Sequence, residues 1–177
     1  MAKYNLWLRY LIILGVVLVL LLIASIKNRR YESQEQPILR FKQDLVNAVS
    51  IINAEQSLTL VKGDSGWTFI TPDTIRIKDY KINNLFKTLF NGRRTGYVTS
   101  NPDKYAMYKV TPEEATIVEL RQNERVLGIL LIGSSQPDYE RGYLRDQDYL
   151  KYPDDPKVYM SRDKMLYHIS ADSAFWR

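Results

Sequence analysis

The chain has no cysteine and one histidine among its 177 residues. The first absence excludes disulfides, thiolate nucleophiles and cysteine zinc sites. It leaves the compartment open, because a domain large enough to bury a core needs no covalent staple. The second leaves His168 without a histidine partner for a metal. No serine or cysteine stands near His168 in the spacing of a nucleophile and its base, so it reads as a partly exposed residue of a terminal helix. Glycine is also scarce, eight in all, and Gly133-Ser134-Ser135 lacks the second glycine and the Lys-Ser/Thr of a phosphate loop.

A broad basic surface is missing too. The net charge is +5, but Lys3, Arg9, Lys27, Arg29 and Arg30 flank one apolar run, and the remainder is close to neutral. The charge is therefore a flank signature and not a nucleic-acid footprint, and no nucleic-acid partner is expected. The acidic residues Asp146, Asp148, Asp154 and Asp155 cluster in sequence, with Lys151 among them. They lack the spacing and the glycine of a calcium loop, so a solvated loop is expected, with no metal and no cofactor. Neighbouring carboxylates of one loop also say nothing about a glycosidase pair across a cleft.

What the chain does have is a long apolar run. Residues 6–26 carry no charge beyond Arg9, and residues 11–26 carry none at all. About 20 helical residues cross a hydrocarbon core of roughly 30 Å, so a transmembrane helix is expected here. The run is long for a signal peptide, and Ile23-Ala24-Ser25-Ile26-Lys27 is a poor cleavage sequence. A core helix would need apolar surroundings on every face, which a chain with 45% hydrophobic residues does not easily supply. Trp7 and Tyr10 fit an interfacial aromatic belt, and Arg9 is near enough to the end to snorkel. Gly15 is a lone glycine and makes no helix-packing motif by itself. Lys3 and Arg9 precede the core, while Lys27, Arg29 and Arg30 follow it, so the positive-inside count nearly cancels. The short N-terminal tail and the large C-terminal domain favour N-in, C-out.

The expected layout is an anchor over 1–27, a stalk or linker over 28–44 and an extramembrane domain over 45–177. A strand is expected near 48–53. The alternation of Leu58 and Leu60, the turn 63–66, and Trp67 and Phe69 then read as a hairpin stopped by Pro72. From Asp79 the period changes. Ile82, Leu85, Phe86, Leu89 and Phe90 form a core-facing helical stripe, with Asp79 as N-cap and Asn91-Gly92 as C-cap. Strands follow over 97–99, 115–121, 125–132, 142–145 and 157–160, the fourth of these followed by an acidic loop over 146–156. The apolar strand 125–132 is expected to be central. Ser161 is expected to cap a helix over 162–169 that turns Met165, Leu166 and Ile169 inward. The fold class expected is α+β: one N-terminal transmembrane helix, then a mostly antiparallel sheet with two covering helices.

Thirteen tyrosines are many for this length, and tyrosine gives contact area with a polar tip. Tyr139, Tyr149 and Tyr152 fall in expected loops and are candidates for a binding surface. Lys87, Arg93 and Arg94 form a candidate basic patch at the end of the helix, where cations also favour the helix dipole.

Several features together resemble a known family. They are Leu58, Leu60, Lys62, Trp67 and Pro72, the helix 82–90, Asn101-Pro102, Tyr108-Lys109-Val110, Ile132-Gly133, Gly142-Tyr143-Leu144 and Val158-Tyr159. Over about residues 45–170 the chain looks like an uncharacterised bacterial domain family often encoded beside gliding-type ABC transporters. That family has Gly where Lys109 stands here. The resemblance implies a single-pass anchor, an envelope-facing domain and no catalytic residue to carry over. The expected function is a non-enzymatic accessory or structural subunit of a bacterial envelope complex at the inner membrane. Its domain would lie on the periplasmic side, and its partners would be the bilayer and other membrane subunits. The alternative is a module binding a ligand or cell-wall glycan.

Overall fold

The computed structural model describes residues 3–31, 35–70, 77–134 and 147–177, and within the N-terminal helix the side chains of Trp7 and residues 10–23. The chain divides into two compact units, Met1–Gln34 and Glu35–Arg177.

The first unit is the helix α1 (Lys3–Tyr31). Its described apolar side chains face solvent on every side: over residues 10–23 the large ones are 45–64% exposed, and Trp7 is 75% exposed. A Cβ added at Gly15 would meet nothing within 4 Å. Among the described residues no helix is long and apolar enough to cross a membrane. The expected transmembrane helix is corrected on that ground. Arg9, Arg29 and Arg30 have side chains outside the described set.

The second unit is mostly β. Its strands are β1 (Gln36–Pro37), β2 (Ala48–Ile52), β3 (Ser57–Gly63), β4 (Gly66–Phe69), β5 (Arg93–Thr99), β6 (Thr116–Gln122), β7 (Arg125–Ser134), β8 (Asp148–Lys151) and β9 (Val158–Ser161). They form one sheet in the order β1-β5-β9-β8-β7-β6-β2-β3-β4. Every pairing is antiparallel. β7 is the middle strand, as its apolar run requires. The hairpin β3–β4 closes at Gly63↔Gly66. Alternation places Val49, Ile51, Leu58, Leu60, Val118, Leu120, Leu130, Ile132 and Leu150 in one buried core.

The α+β expectation is corrected: helices are few. The stripe of Ile82, Leu85, Phe86 and Leu89 is buried as expected. The α-helix over it, however, is only α2 (Asp79–Phe86), which passes into a π turn, Lys87–Asn91. The N-cap position is Lys78 and makes no side-chain cap, so Asp79 is the first helical residue. Gly92 is extended, not left-handed, and its bare Cα lies against the Thr88 carbonyl. The second covering helix does not form. Residues Leu166–His168 make one 3₁₀ turn, and the chain ends in the short helix α3 (Ser173–Trp176). Met165 and Ile169 still point inward, and Trp176 is fully buried. The helical spacing was real, but one carboxylate from another strand holds the turn: Asp148 accepts from the N–H groups of both Met165 and Leu166.

Two further corrections concern the strands. Asp148–Lys151 is a strand where acidic loop was expected. The strand expected over 142–145 lies outside the described residues. Within the expected linker 28–44, β1 pairs with β5 through Gln36↔Arg94 and Pro37↔Arg93, and Ile38 and Leu39 join the core.

Candidate functional site

After β1 the chain leaves the sheet margin and runs toward β2. On the way, residues 38–41 pass across β7. Leu39 and Phe41 lie over Gly128, where an added Cβ would come within 3.0 Å of the Phe41 ring. The Phe41 ring in turn meets Phe90 edge-on, 5.7 Å between centres. After β8 the chain turns at once, with the Asp155 N–H donating to the Tyr152 carbonyl. Between this turn, residues 37–41 and the first half of β7 lies an open groove of about 610 Å³. That size is within the range of ligand-binding clefts.

One wall is a chain of aromatic and charged groups. The Arg94 guanidinium carbon sits 4.0 Å from the Tyr159 ring centre and 5.3 Å from that of Tyr152. Arg94 Nη2 donates to Gln36 Oε1 at 2.6 Å. The Tyr152 hydroxyl donates to the Ile38 carbonyl at 2.7 Å, which fastens the crossing segment to the β8–β9 turn. The Tyr159 hydroxyl donates to Asp155 Oδ2 at 2.6 Å, and Lys157 N–H donates to Asp155 Oδ1 at 2.9 Å.

These contacts set the ionisation. Burial alone pushes the Asp155 carboxyl up. The two hydrogen bonds and the Lys157 and Arg94 charges outweigh it, leaving Asp155 below the usual carboxylate range. Burial raises Tyr152 against the opposing pull of Arg94 and, more weakly, Arg40. Burial and the bond to Asp155 raise Tyr159. Both tyrosines therefore stay neutral hydroxyl donors at physiological pH.

The candidate residues separate. Tyr152 and Arg94 meet at the groove. Tyr149 does not: it is 6% exposed, in a second small cluster with Val110 and Val158, and its ring lies 4.8 Å from that of Tyr108. Its neighbour Leu150 faces the main core, so strand alternation turns Tyr149 to the opposite face. Tyr139 and Asp146 lie outside the described residues. Arg93 and Arg94 are consecutive in β5, so their side chains leave opposite faces and the basic patch is divided. Arg93 and Lys87 are exposed. His168 is half-buried in its 3₁₀ turn. The acidic cluster divides as well: Asp148 holds the 3₁₀ turn, Asp155 bonds Tyr159, and Asp154 is exposed. Among the described residues no group of three His, Asp or Glu side chains is placed to hold a metal ion. Sequence reading missed Arg40 and Asp155 as parts of the groove, because its lining is assembled from segments 37–41, 126–129 and 152–155, which lie far apart in the chain.

Comparison with protein-family models, with characterised proteins and with solved structures finds no match.

Proposed function

We propose that this chain is a non-enzymatic accessory subunit of a bacterial envelope complex. Helix α1 associates with an apolar environment at the inner membrane, and the unit Glu35–Arg177 makes protein contacts on the periplasmic side. The observation that carries this reading is the surface of α1. A helix on a soluble domain buries an apolar stripe and leaves a polar face to water. Here the described apolar side chains of residues 10–23 are exposed all round. A continuous apolar surface of that extent exceeds what soluble proteins leave to water, and lipid or the helices of partner subunits would cover it.

The test is gentle detergent extraction of native membranes, followed by capture through a tag at Arg177. The expected result is a defined set of membrane proteins in fixed ratio. Capture of the chain alone would overturn the subunit reading. Recovery of the chain in the soluble fraction, with none in native membranes before any wash, would overturn the attachment.

A further inference from the structure

The first six residues of the middle strand, 125–130, are paired on one side only. Toward β6, β7 is registered from Arg125↔Gln122 to Ile132↔Thr116, with one bulge near Leu120/Arg121. Toward β8 the register covers Leu131↔Lys151 to Ser134↔Asp148 and then stops, because β8 ends and turns. Residues 125–130 of β7 therefore have no strand beside them on that side among the described residues. The crossing segment does not take its place: no backbone hydrogen bond joins residues 39–41 to β7. Backbone groups on a strand alternate in direction, so six residues leave about three sets of N–H and C=O aimed into the groove. The margins of the sheet are β1, two residues long, and β4, four residues long. Short edges deter pairing, whereas an open run of six invites it.

We infer that this edge of β7 receives an extended segment of a partner protein, which adds as a strand in the groove and carries an acidic side chain toward Arg40. Main-chain bonds would give the affinity, and the walls would select side chains. Charge points to the acid. Arg40 lines the groove, is exposed, and makes no hydrogen bond or ion pair among the described residues. Arg94 is the second cation in the lining. Of the two carboxylates, Asp155 is already bonded to Tyr159 and Lys157, while Asp154 stands on the turn at the rim. Pro37 and Pro153 bound the groove and offer no N–H, so an incoming strand bonds to β7 rather than to the ends. The inference goes beyond the membrane reading and does not rest on it, because the edge belongs to the Glu35–Arg177 unit alone.

The test uses the full chain in detergent micelles and amide hydrogen exchange. In the free protein, amides of 131–134 should exchange slowly, and alternate amides within 126–130 fast. The probe is a set of capped heptapeptides of Val and Thr with one Glu at each position in turn. At least one should protect the fast amides of 126–130. N-methylation of alternate residues in that peptide should weaken binding about tenfold or more by removing main-chain bonds. Replacing its Glu by Gln should weaken binding to the natural chain several-fold, and should have no further effect in Arg40→Gln, an exposed change that leaves the core intact. Uniformly slow exchange across 126–130 in the free chain would overturn the open edge. Binding of no peptide in the set would overturn the strand-addition reading. Protection that rises with protein concentration alone would assign the edge to a second copy of this chain and overturn it equally.

Discussion

Arg94 lies over the ring of Tyr159, its guanidinium carbon 4.0 Å from the ring centre. The same side chain reaches Gln36 on β1 and approaches Tyr152 on the β8–β9 turn. One residue thus ties the short first strand, the turn and β9 together at the groove. Its planar, delocalised cation suits stacking, and an ammonium would not reproduce the contact. Arg94→Ala should lower the unfolding free energy by about 1–2 kcal/mol. Arg94→Lys should recover less than half of that, measured by urea denaturation. Equal stability of the alanine variant and the natural chain would show that the stack contributes nothing.

The partner of that ring gives a pH-dependent prediction. Asp155 titrates below its ordinary value, so it contributes stability that is present above the unfolded carboxylate range, near 3.9, and lost as pH falls through the lowered folded value. Tyr159→Phe removes the hydroxyl that donates to Asp155 and keeps the ring under Arg94. The variant should lose about 1 kcal/mol at pH 7 and less at a pH below the lowered folded value of Asp155, where the carboxyl is protonated in both states. A loss that is the same at both pH values would refute the pairing as its cause.

Gly133 on β7 packs flat against the 3₁₀ turn Ala106–Tyr108, where a Cβ would run into the carbonyls of Tyr108 and Lys109. Lys109 closes that turn in the left-handed region, with φ 51° and ψ 41°. Gly133→Ala must push backbone against backbone and should cost about 3 kcal/mol. Lys109→Gly should instead raise stability by about 0.5–1 kcal/mol. The left-handed conformation costs a side chain about 1–2 kcal/mol, and only part of the relief is offset by the extra freedom of glycine in the unfolded chain. Thermal melts of the two variants should move in opposite directions.

The strands that the sequence made legible are those whose partners lie close in the chain. The hairpin of Leu58 and Leu60 with Trp67 and Phe69 closes through a short turn, so alternation and turn chemistry agree. The run 125–132 was legible as central because both faces are apolar. The stripe from Ile82 to Leu89 was legible as core-facing, although its helix slips into a π turn at Lys87. What was not legible depends on distant partners. Asp148 reads as a loop residue because aspartate is rare in strands, yet it is 4% exposed and serves two backbone N–H groups 17 and 18 residues later. Tyr149 reads as a loop surface residue for the same reason, since its strand was hidden by its acidic neighbours. The groove itself arises where β8 stops short beside β7 and residues 38–41 cross, a relation among three segments that no local pattern records.

Asp148 also carries the last prediction. Its carboxyl is pushed up by burial, and the bonds from Leu166 and Met165 only partly oppose this. A raised folded value means that the native state holds the proton more tightly than the unfolded chain. Between the ordinary carboxylate value of about 3.9 and the raised folded value, folding takes up protons. The contribution of this group is therefore fully present below the unfolded value and is lost as pH rises through the folded one. Asp148→Asn keeps an oxygen for the two N–H groups and does not titrate. Its stability relative to the natural chain should accordingly improve as pH rises from 4 to 7. Asp148→Ala leaves both buried donors without an acceptor and should cost about 2–3 kcal/mol at either pH. A flat difference between the asparagine variant and the natural chain over that range, in denaturant titrations at matched salt, would mean that burial does not raise the carboxyl.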